Sequence, residues 1–124
     1  MTQEEFNDLP LLLRRAEVCQ ILDWSPARVH EWREDGVLRI FLPNPQDAYA
    51  YYYRADVARI HGHLVMDTQF IGHLPMWIRS GLFRRFSGLA EHAFYAALEH
   101  GQLVGLRRNG RRQEFYSKDL EWFV

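Results

Sequence analysis

The chain has 124 residues, enough for one ordinary domain or two very small ones. Because 48% of the residues are hydrophobic and 15% are aromatic, the chain can bury a core, which excludes a disordered tail. The net charge of −1 hides an uneven distribution: residues 1–10 carry three acids, 11–60 hold seven arginines and seven acids, and 76–124 hold eight Arg or Lys residues against five acids. A basic excess confined to one part of a chain can mark a nucleic-acid surface.

Other features of the composition exclude whole classes of protein. No run of residues approaches the roughly 18 apolar residues that a membrane helix needs, so no membrane partner is expected. The first residues are acidic, where a signal peptide would be basic. The one cysteine, Cys19, cannot form an internal disulfide framework or a Cys-rich zinc site. We therefore expect a cytoplasmic protein.

The first half of the chain predicts two helices, a β-hairpin and a third helix. Apolar residues recur at helical spacing over 15–22, and a tight turn follows. Ser25-Pro26 is typical of a helix start, because serine caps the first turn and proline fits its first position, and Gly36 ends that helix. The other elements predicted in this half are strands at 38–42 and 49–53 and a helix that opens near Arg54.

The same order of elements returns 65 residues later. Residues 18–38 align without a gap on residues 83–103, and the apolar pattern agrees although few identities survive. The second copy predicts helices at 81–87 and 90–100, strands at 104–108 and 111–116 joined by Asn109-Gly110, and a last helix capped by Ser117. We divide the chain into an acidic N-terminal tail (1–10), a first unit (11–61), a linker packed between the units (62–75) and a second unit (76–124).

Residues 12–60 carry a spaced set of apolar and small residues. The set consists of Glu17, Val18, Ser25, Val29, Trp32, Gly36, Leu38, Tyr53, Asp56 and Val57. This pattern resembles the MerR and excisionase type of winged helix-turn-helix DNA-binding domain. The second unit matches it more weakly, since Ala90 and Ala97 stand where the family has Ser and Trp. The resemblance implies a mostly α fold with small β-hairpin wings (α+β), arranged as a tandem winged helix-turn-helix.

The resemblance also implies that the second helix of each unit is a recognition helix that enters a major groove. Arg28 is the main candidate for a base contact, because a guanidinium fork fits O6 and N7 of guanine. Arg84 and Arg85, on the first helix of the second unit, are candidates for backbone phosphates. Solvated helix faces explain the first recognition helix and this arginine pair equally well. The remaining recognition-helix candidates are His30 and Arg33 in the first unit and His92 and Tyr95 in the second.

The two hairpins differ in charge. The second hairpin places basic and amide side chains at its tip, which suits a phosphate backbone or a narrow minor groove, although such arginines also keep a strand edge soluble. These candidates are Arg107, Arg108, Asn109, Arg111 and Arg112. The first hairpin has no positive charge at all. Its aromatic residues Phe41 and Tyr52 either pack in the core or contact a partner, by self-association or by docking of the two units.

No pattern for catalysis or metal binding is found. His61 and His63 are the only closely spaced histidines and have no third ligand, so we predict no metal site. Nothing places a base beside Cys19 to activate it. Phosphate-binding loops, dinucleotide fingerprints and nucleophile elbows are absent from the sequence. The chain is therefore predicted not to be an enzyme and to need no cofactor.

The sequence favours a non-catalytic double-stranded DNA-binding protein. By resemblance it would be a transcriptional regulator or an excisionase-like recombination accessory factor, with two half-sites about one helical turn apart. The alternative is a protein-interaction module, in which a duplicated winged helix has lost DNA binding in at least one unit and pairs with itself as a homodimer or with another protein. The acids on the first recognition helix support this alternative.

Overall fold

The computed structural model describes residues 1–46, 49–63, 71–110 and 112–124. It is an α+β fold with two antiparallel three-stranded sheets. The first half contains α1 (Gln3–Asn7), β1 (Leu12–Leu13), α2 (Arg15–Leu22), α3 (Pro26–Glu34), β2 (Ile40–Phe41), β3 (Tyr51–Tyr53) and α4 (Arg54–His61). The second half contains β4 (Trp77–Arg79), α5 (Ser80–Ser87), α6 (Glu91–Glu99), β5 (Leu106–Asn109), β6 (Arg112–Tyr116) and a 3₁₀ helix (Ser117–Phe123).

The elements of the second half follow those of the first at a nearly constant spacing. Helices α2 and α5 begin and end 65 residues apart, and so do α3 and α6. The turn inside each helix pair has a left-handed residue at the matching position, Asp23 with φ 55° and Gly88 with φ 86°. The strand orders also agree, β1-β3-β2 in one sheet and β4-β6-β5 in the other.

The start of α3 follows from its first two residues. The Ser25 hydroxyl accepts a hydrogen bond from the Arg28 amide at 3.2 Å, and Pro26 occupies the first turn, as predicted. Val29 is fully buried beneath the helix. Gly36 follows the helix with φ 78°, a conformation that side chains disfavour. Local capping thus sets the position of α3 in the chain.

A buried carboxylate attaches each hairpin to the last helix of its half. Asp56 accepts a hydrogen bond from the Arg39 amide at 2.9 Å and three more from its guanidinium. At the matching place, Asp119 accepts the Gly105 amide at 2.9 Å. The side-chain hydrogen bond to Asp56 is the main reason that the pKa of Arg39 is raised.

The acidic segment 1–10, predicted as a tail, contains the short helix α1. Its capping box pairs the Thr2 and Glu5 side chains with each other's backbone amides. Phe6 is only 1% exposed. Arg54 holds the end of this segment by donating to the carbonyls of Phe6 at 3.1 Å, Asn7 at 3.0 Å and Leu9. The N-terminal residues are therefore packed on the first unit.

Several predicted boundaries are wrong. The strands of the first hairpin are shorter than predicted, and β1 and β4 were not predicted. In the second hairpin Asn109 pairs with Arg112 and is the last residue of β5, so the prediction that Asn109 lies in the turn is wrong. Ser117 is not the cap of the last helix: the cap residue is Tyr116, and the Ser117 hydroxyl donates to the Met76 carbonyl at 3.2 Å.

The first sheet is buried on both faces. Leu13 and Tyr52 face the core of the first unit, whereas Leu12, Phe41 and Tyr51 belong to a second core shared with the other unit. Phe41 is 8% and Tyr52 is 2% exposed, so of the alternatives given for them the structure fits packing in the core and docking of the units, not an exposed contact surface. Phe41 helps to dock the two units, because its ring packs edge-on against the Phe123 ring, with a distance of 4.9 Å between the ring centroids.

Polar and steric contacts fix how the units dock. The Leu11 amide donates to the Phe86 carbonyl at 2.9 Å, and the Ala90 amide donates to the Tyr51 hydroxyl at 3.3 Å. Gly88 lies so close to the Leu12 carbonyl that an added Cβ would be 2.3 Å from it. In the predicted linker, Ile71 is buried in the shared core, and residues 64–70 lie outside the described residues.

Candidate nucleic-acid interface

A cleft of about 880 Å³ opens between the start of α2, the side of α3 and the chain leading into β3. Its lining surface is largely apolar and includes arginine side chains, and none of the described lining residues is acidic. The cationic groups are Arg14, Arg15 and Arg33, and His30 also lines the cleft. The other lining residues are Ala16, Cys19, Pro26, Tyr49, Ala50 and Tyr52.

A smaller cleft of about 300 Å³ continues this surface onto the second unit. It is lined by Arg14, Arg84 and Arg85, with Gly81, Gly88, Leu89 and Ala90 completing its walls. Arg14 lines both clefts, so the two clefts adjoin at this residue and arginines of both units lie along them. We call its five arginines the arginine belt: Arg14, Arg15, Arg33, Arg84 and Arg85.

Among the described residues, no carboxylate pairs with the arginine belt. Within the described ranges, none of its five guanidinium groups is within ion-pair distance of a carboxylate. The nearby Glu17 carboxylate accepts the Arg14 backbone amide at 3.1 Å and lines neither cleft. In the described part of the chain, arginine–carboxylate pairs form elsewhere, at Asp56 and at Glu114. In the described ranges, the guanidinium groups of the belt are thus not ion-paired.

Arg84 has a further feature that distinguishes it from the other belt residues. Its Nε is buried and has no hydrogen-bond partner among the described residues. A buried donor left unpaired costs about 1–3 kcal/mol, and more when the group is charged. The neighbouring turn does not satisfy it, because the Ser87 hydroxyl donates to the Arg84 carbonyl and accepts from the Leu89 amide, both at 3.2 Å.

The predicted contacts on α3 fall on different sides of the helix. His30 and Arg33 line the large cleft. The His30 Nε2 atom lies 3.7 Å from Oε1 of Glu34 on the same helix. Arg28 does not line the cleft, because its guanidinium stacks over the Trp24 ring at 4.5 Å. Glu31 is exposed on the same helix. Of the arginines on α3, Arg33 and not Arg28 therefore lines the large cleft.

Helix α6 offers less to an anion than α3 does. Its candidates His92 and Tyr95 are exposed and line neither cleft. The His92 ring lies 6.5 Å from the Tyr49 ring of the first unit, and the Tyr95 ring packs edge-on against Phe94 at 5.3 Å. The start of α6 is held against the first unit by the hydrogen bond between Ala90 and Tyr51.

The charge of the second hairpin is partly neutralised. Strand pairing brings Glu114 beside Arg107, with an Nη2–Oε2 distance of 3.0 Å, and the Asn109 amide donates to Glu114 at 3.1 Å. Hydrogen bonds from Asn109 and Arg107 lower the pKa of Glu114. The Arg107 guanidinium also stacks over Trp77 at 4.7 Å. Arg108 and Arg112 are exposed without an ion pair in the described ranges, and Arg111 lies outside them.

Sequence reasoning singled out Arg33, Arg84 and Arg85 but missed Arg14 and Arg15. The available signal was their place at the start of the first helix of the repeat, which pairs with the second helix. Arg14 is the N-cap of α2 and connects the two clefts. Its importance follows from the docking of the units, which the sequence pattern does not contain.

Comparison with protein-family models, curated proteins and solved structures gives no significant match. Within the described ranges, no helix has the length and apolar character needed to cross a membrane. The functional interpretation therefore depends on the residues and geometry of this chain.

Proposed function

We propose that this chain is a non-catalytic double-stranded DNA-binding protein built from two docked winged helix-turn-helix units. Its role would be transcriptional regulation or architectural assistance in site-specific recombination, the roles implied by the resemblance of residues 12–60 to MerR and excisionase domains. The repeated order of helix, turn, helix, hairpin and helix supports the tandem arrangement. Duplex DNA is the proposed partner.

The observation that carries this proposal is the arginine belt. Five guanidinium groups lie along two connected clefts and lack carboxylate partners in the described chain. Guanidinium forks match the paired oxygens of a phosphate, and DNA presents about one negative charge per 1.7 Å of helix axis. A connected row of cations suits such a polymer better than it suits an isolated small anion.

The belt also suggests how the first unit would meet DNA. His30 and Arg33 would approach the duplex from α3, while Arg14 and Arg15 would hold an adjacent phosphate backbone from α2. In this arrangement Arg28 contributes less than the sequence predicts, because it is already stacked on Trp24. The second hairpin would add contacts through Arg108 and Arg112.

Fluorescence anisotropy with a random duplex tests the proposal. Arg15→Ala and Arg33→Ala are each expected to weaken binding roughly tenfold at low salt, as loss of a charge-assisted phosphate contact should. Lys118→Ala is the matched control, because Lys118 is exposed, has the same charge and lies outside both clefts. The control should bind like the unaltered chain.

Equal weakening by all three substitutions would contradict a localised interface and indicate only a general charge effect. An absence of binding at low salt would refute the proposed function. Circular dichroism of each variant would establish that a loss of binding does not come from unfolding.

A further inference from the structure

The small cleft lies where the units meet and brings together three guanidinium groups. Arg14 comes from the first unit, whereas Arg84 and Arg85 come from α5 of the second. None of the described residues that line the cleft is acidic. Neighbouring positive charges repel one another, so an anion placed between them would be favourable.

Arg84, which lines the cleft, also has an unused hydrogen-bond donor. The buried Arg84 Nε has a proton to donate and no acceptor in the described chain. The backbone amides of the adjacent turn are already used, since Leu89 donates to the Ser87 hydroxyl and Ala90 to the Tyr51 hydroxyl. The guanidinium groups would therefore supply the main contacts to the anion.

We propose that this cleft binds one phosphate group, held jointly by the two units. The inference rests on the proposed function, because the phosphate is one of a DNA backbone. It adds that one uninterrupted backbone passes from the first unit to the second, in place of two separate half-sites. The docking of the units is then part of the binding site, since it brings Arg14 beside Arg84 and Arg85.

A double-mutant cycle on duplex binding tests whether Arg14 and Arg84 hold the same phosphate. Arg14→Ala and Arg84→Ala should each weaken binding roughly tenfold, and the double variant should lose much less than the roughly hundredfold product. Arg33→Ala combined with Arg84→Ala is the control pair, because Arg33 does not line the small cleft. For this pair the two losses should multiply.

Multiplying losses for Arg14 and Arg84 would overturn the inference, as would an unchanged affinity of Arg84→Ala. In both cases the proposed function would stand if Arg15→Ala and Arg33→Ala still weakened binding. Arg84→Lys checks folding and geometry together: it keeps the charge but lacks the Nε–H fork, and it should melt like the unaltered chain while binding DNA more weakly.

Inorganic phosphate provides a test that does not need DNA. Phosphate should raise the melting temperature of the unaltered chain and of Lys118→Ala, and it should raise that of Arg14→Ala and Arg84→Ala much less. An equal rise in all four proteins would show a general salt effect and overturn the phosphate site. A selective rise without any duplex binding would support the phosphate site and refute the proposed function.

Discussion

Replacing Gly88 by alanine should separate the docked units more effectively than any surface substitution. Gly88 has φ 86°, and a Cβ there would be 2.3 Å from the Leu12 carbonyl oxygen and 2.7 Å from the Pro10 Cβ. Both neighbours belong to the first unit or the segment before it, so neither can move without shifting the contact between the units. The substitution therefore acts on the docking itself.

The magnitude follows from two contributions. A non-glycine residue in the left-handed region costs about 1–2 kcal/mol, and overpacking of a close contact adds about 1–3 kcal/mol. Gly101→Ala is the matched control, because Gly101 has φ 73° and nothing within 4 Å of an added Cβ. We expect Gly88→Ala to lose about 2–5 kcal/mol of unfolding free energy and Gly101→Ala only about 1–2 kcal/mol.

Urea denaturation, monitored by tryptophan fluorescence and by circular dichroism, measures the loss of unfolding free energy in both variants. The docking also predicts that Gly88→Ala weakens duplex binding more than Gly101→Ala does at a temperature where both remain folded. Equal losses of stability in the two variants would refute the reasoning, because the steric contact between the units would then contribute nothing.

Four further substitutions test other contacts. Arg54→Met should lower the free energy of unfolding by about 2 kcal/mol and expose residues 1–10 to proteolysis, because Arg54 donates to three carbonyls there. Burial lowers the pKa of Arg54 to about 10, so below that pH its contribution to stability should not change with pH. In a urea denaturation experiment, Asp56→Asn should lower the free energy of unfolding by about 1.5–3 kcal/mol. Asp119→Asn should lower it less, because among the described contacts Asp119 accepts from one backbone amide and no guanidinium. Glu114→Gln should release Arg107 from its ion pair and tighten duplex binding at low salt. Because the pKa of Glu114 is lowered in the folded chain, the stability that this carboxylate adds is present above its usual pKa. That stability is lost as the pH falls through the lowered pKa.

The helices could be predicted because their signals are local. The apolar spacing of residues 15–22 gave the observed bounds of α2, and Ser25-Pro26 gave the start of α3. Strand β1 could not be predicted, because two residues are too short to show alternation. Helix α1 was missed although the spacing of Thr2 and Glu5 is that of a capping box.

The contacts of the candidate interface depend on tertiary structure. Phe41 and Tyr52 face opposite sides of a sheet that is covered on both sides, so strand alternation does not distinguish core from surface there. Glu114 follows the arginines of the second hairpin in sequence, but strand pairing places it beside Arg107. Arg14 and Arg84 are far apart in sequence and share a cleft only because the units dock.

The most direct test of the arginine belt is the salt dependence of duplex binding. The logarithm of the binding constant, plotted against the logarithm of the salt concentration, should have a steep negative slope for the unaltered chain. If all five belt arginines contact phosphates, replacing them with alanine should make that slope shallower by about 4 to 5, at roughly 0.9 per contact. An unchanged slope in a folded five-alanine variant would contradict the account.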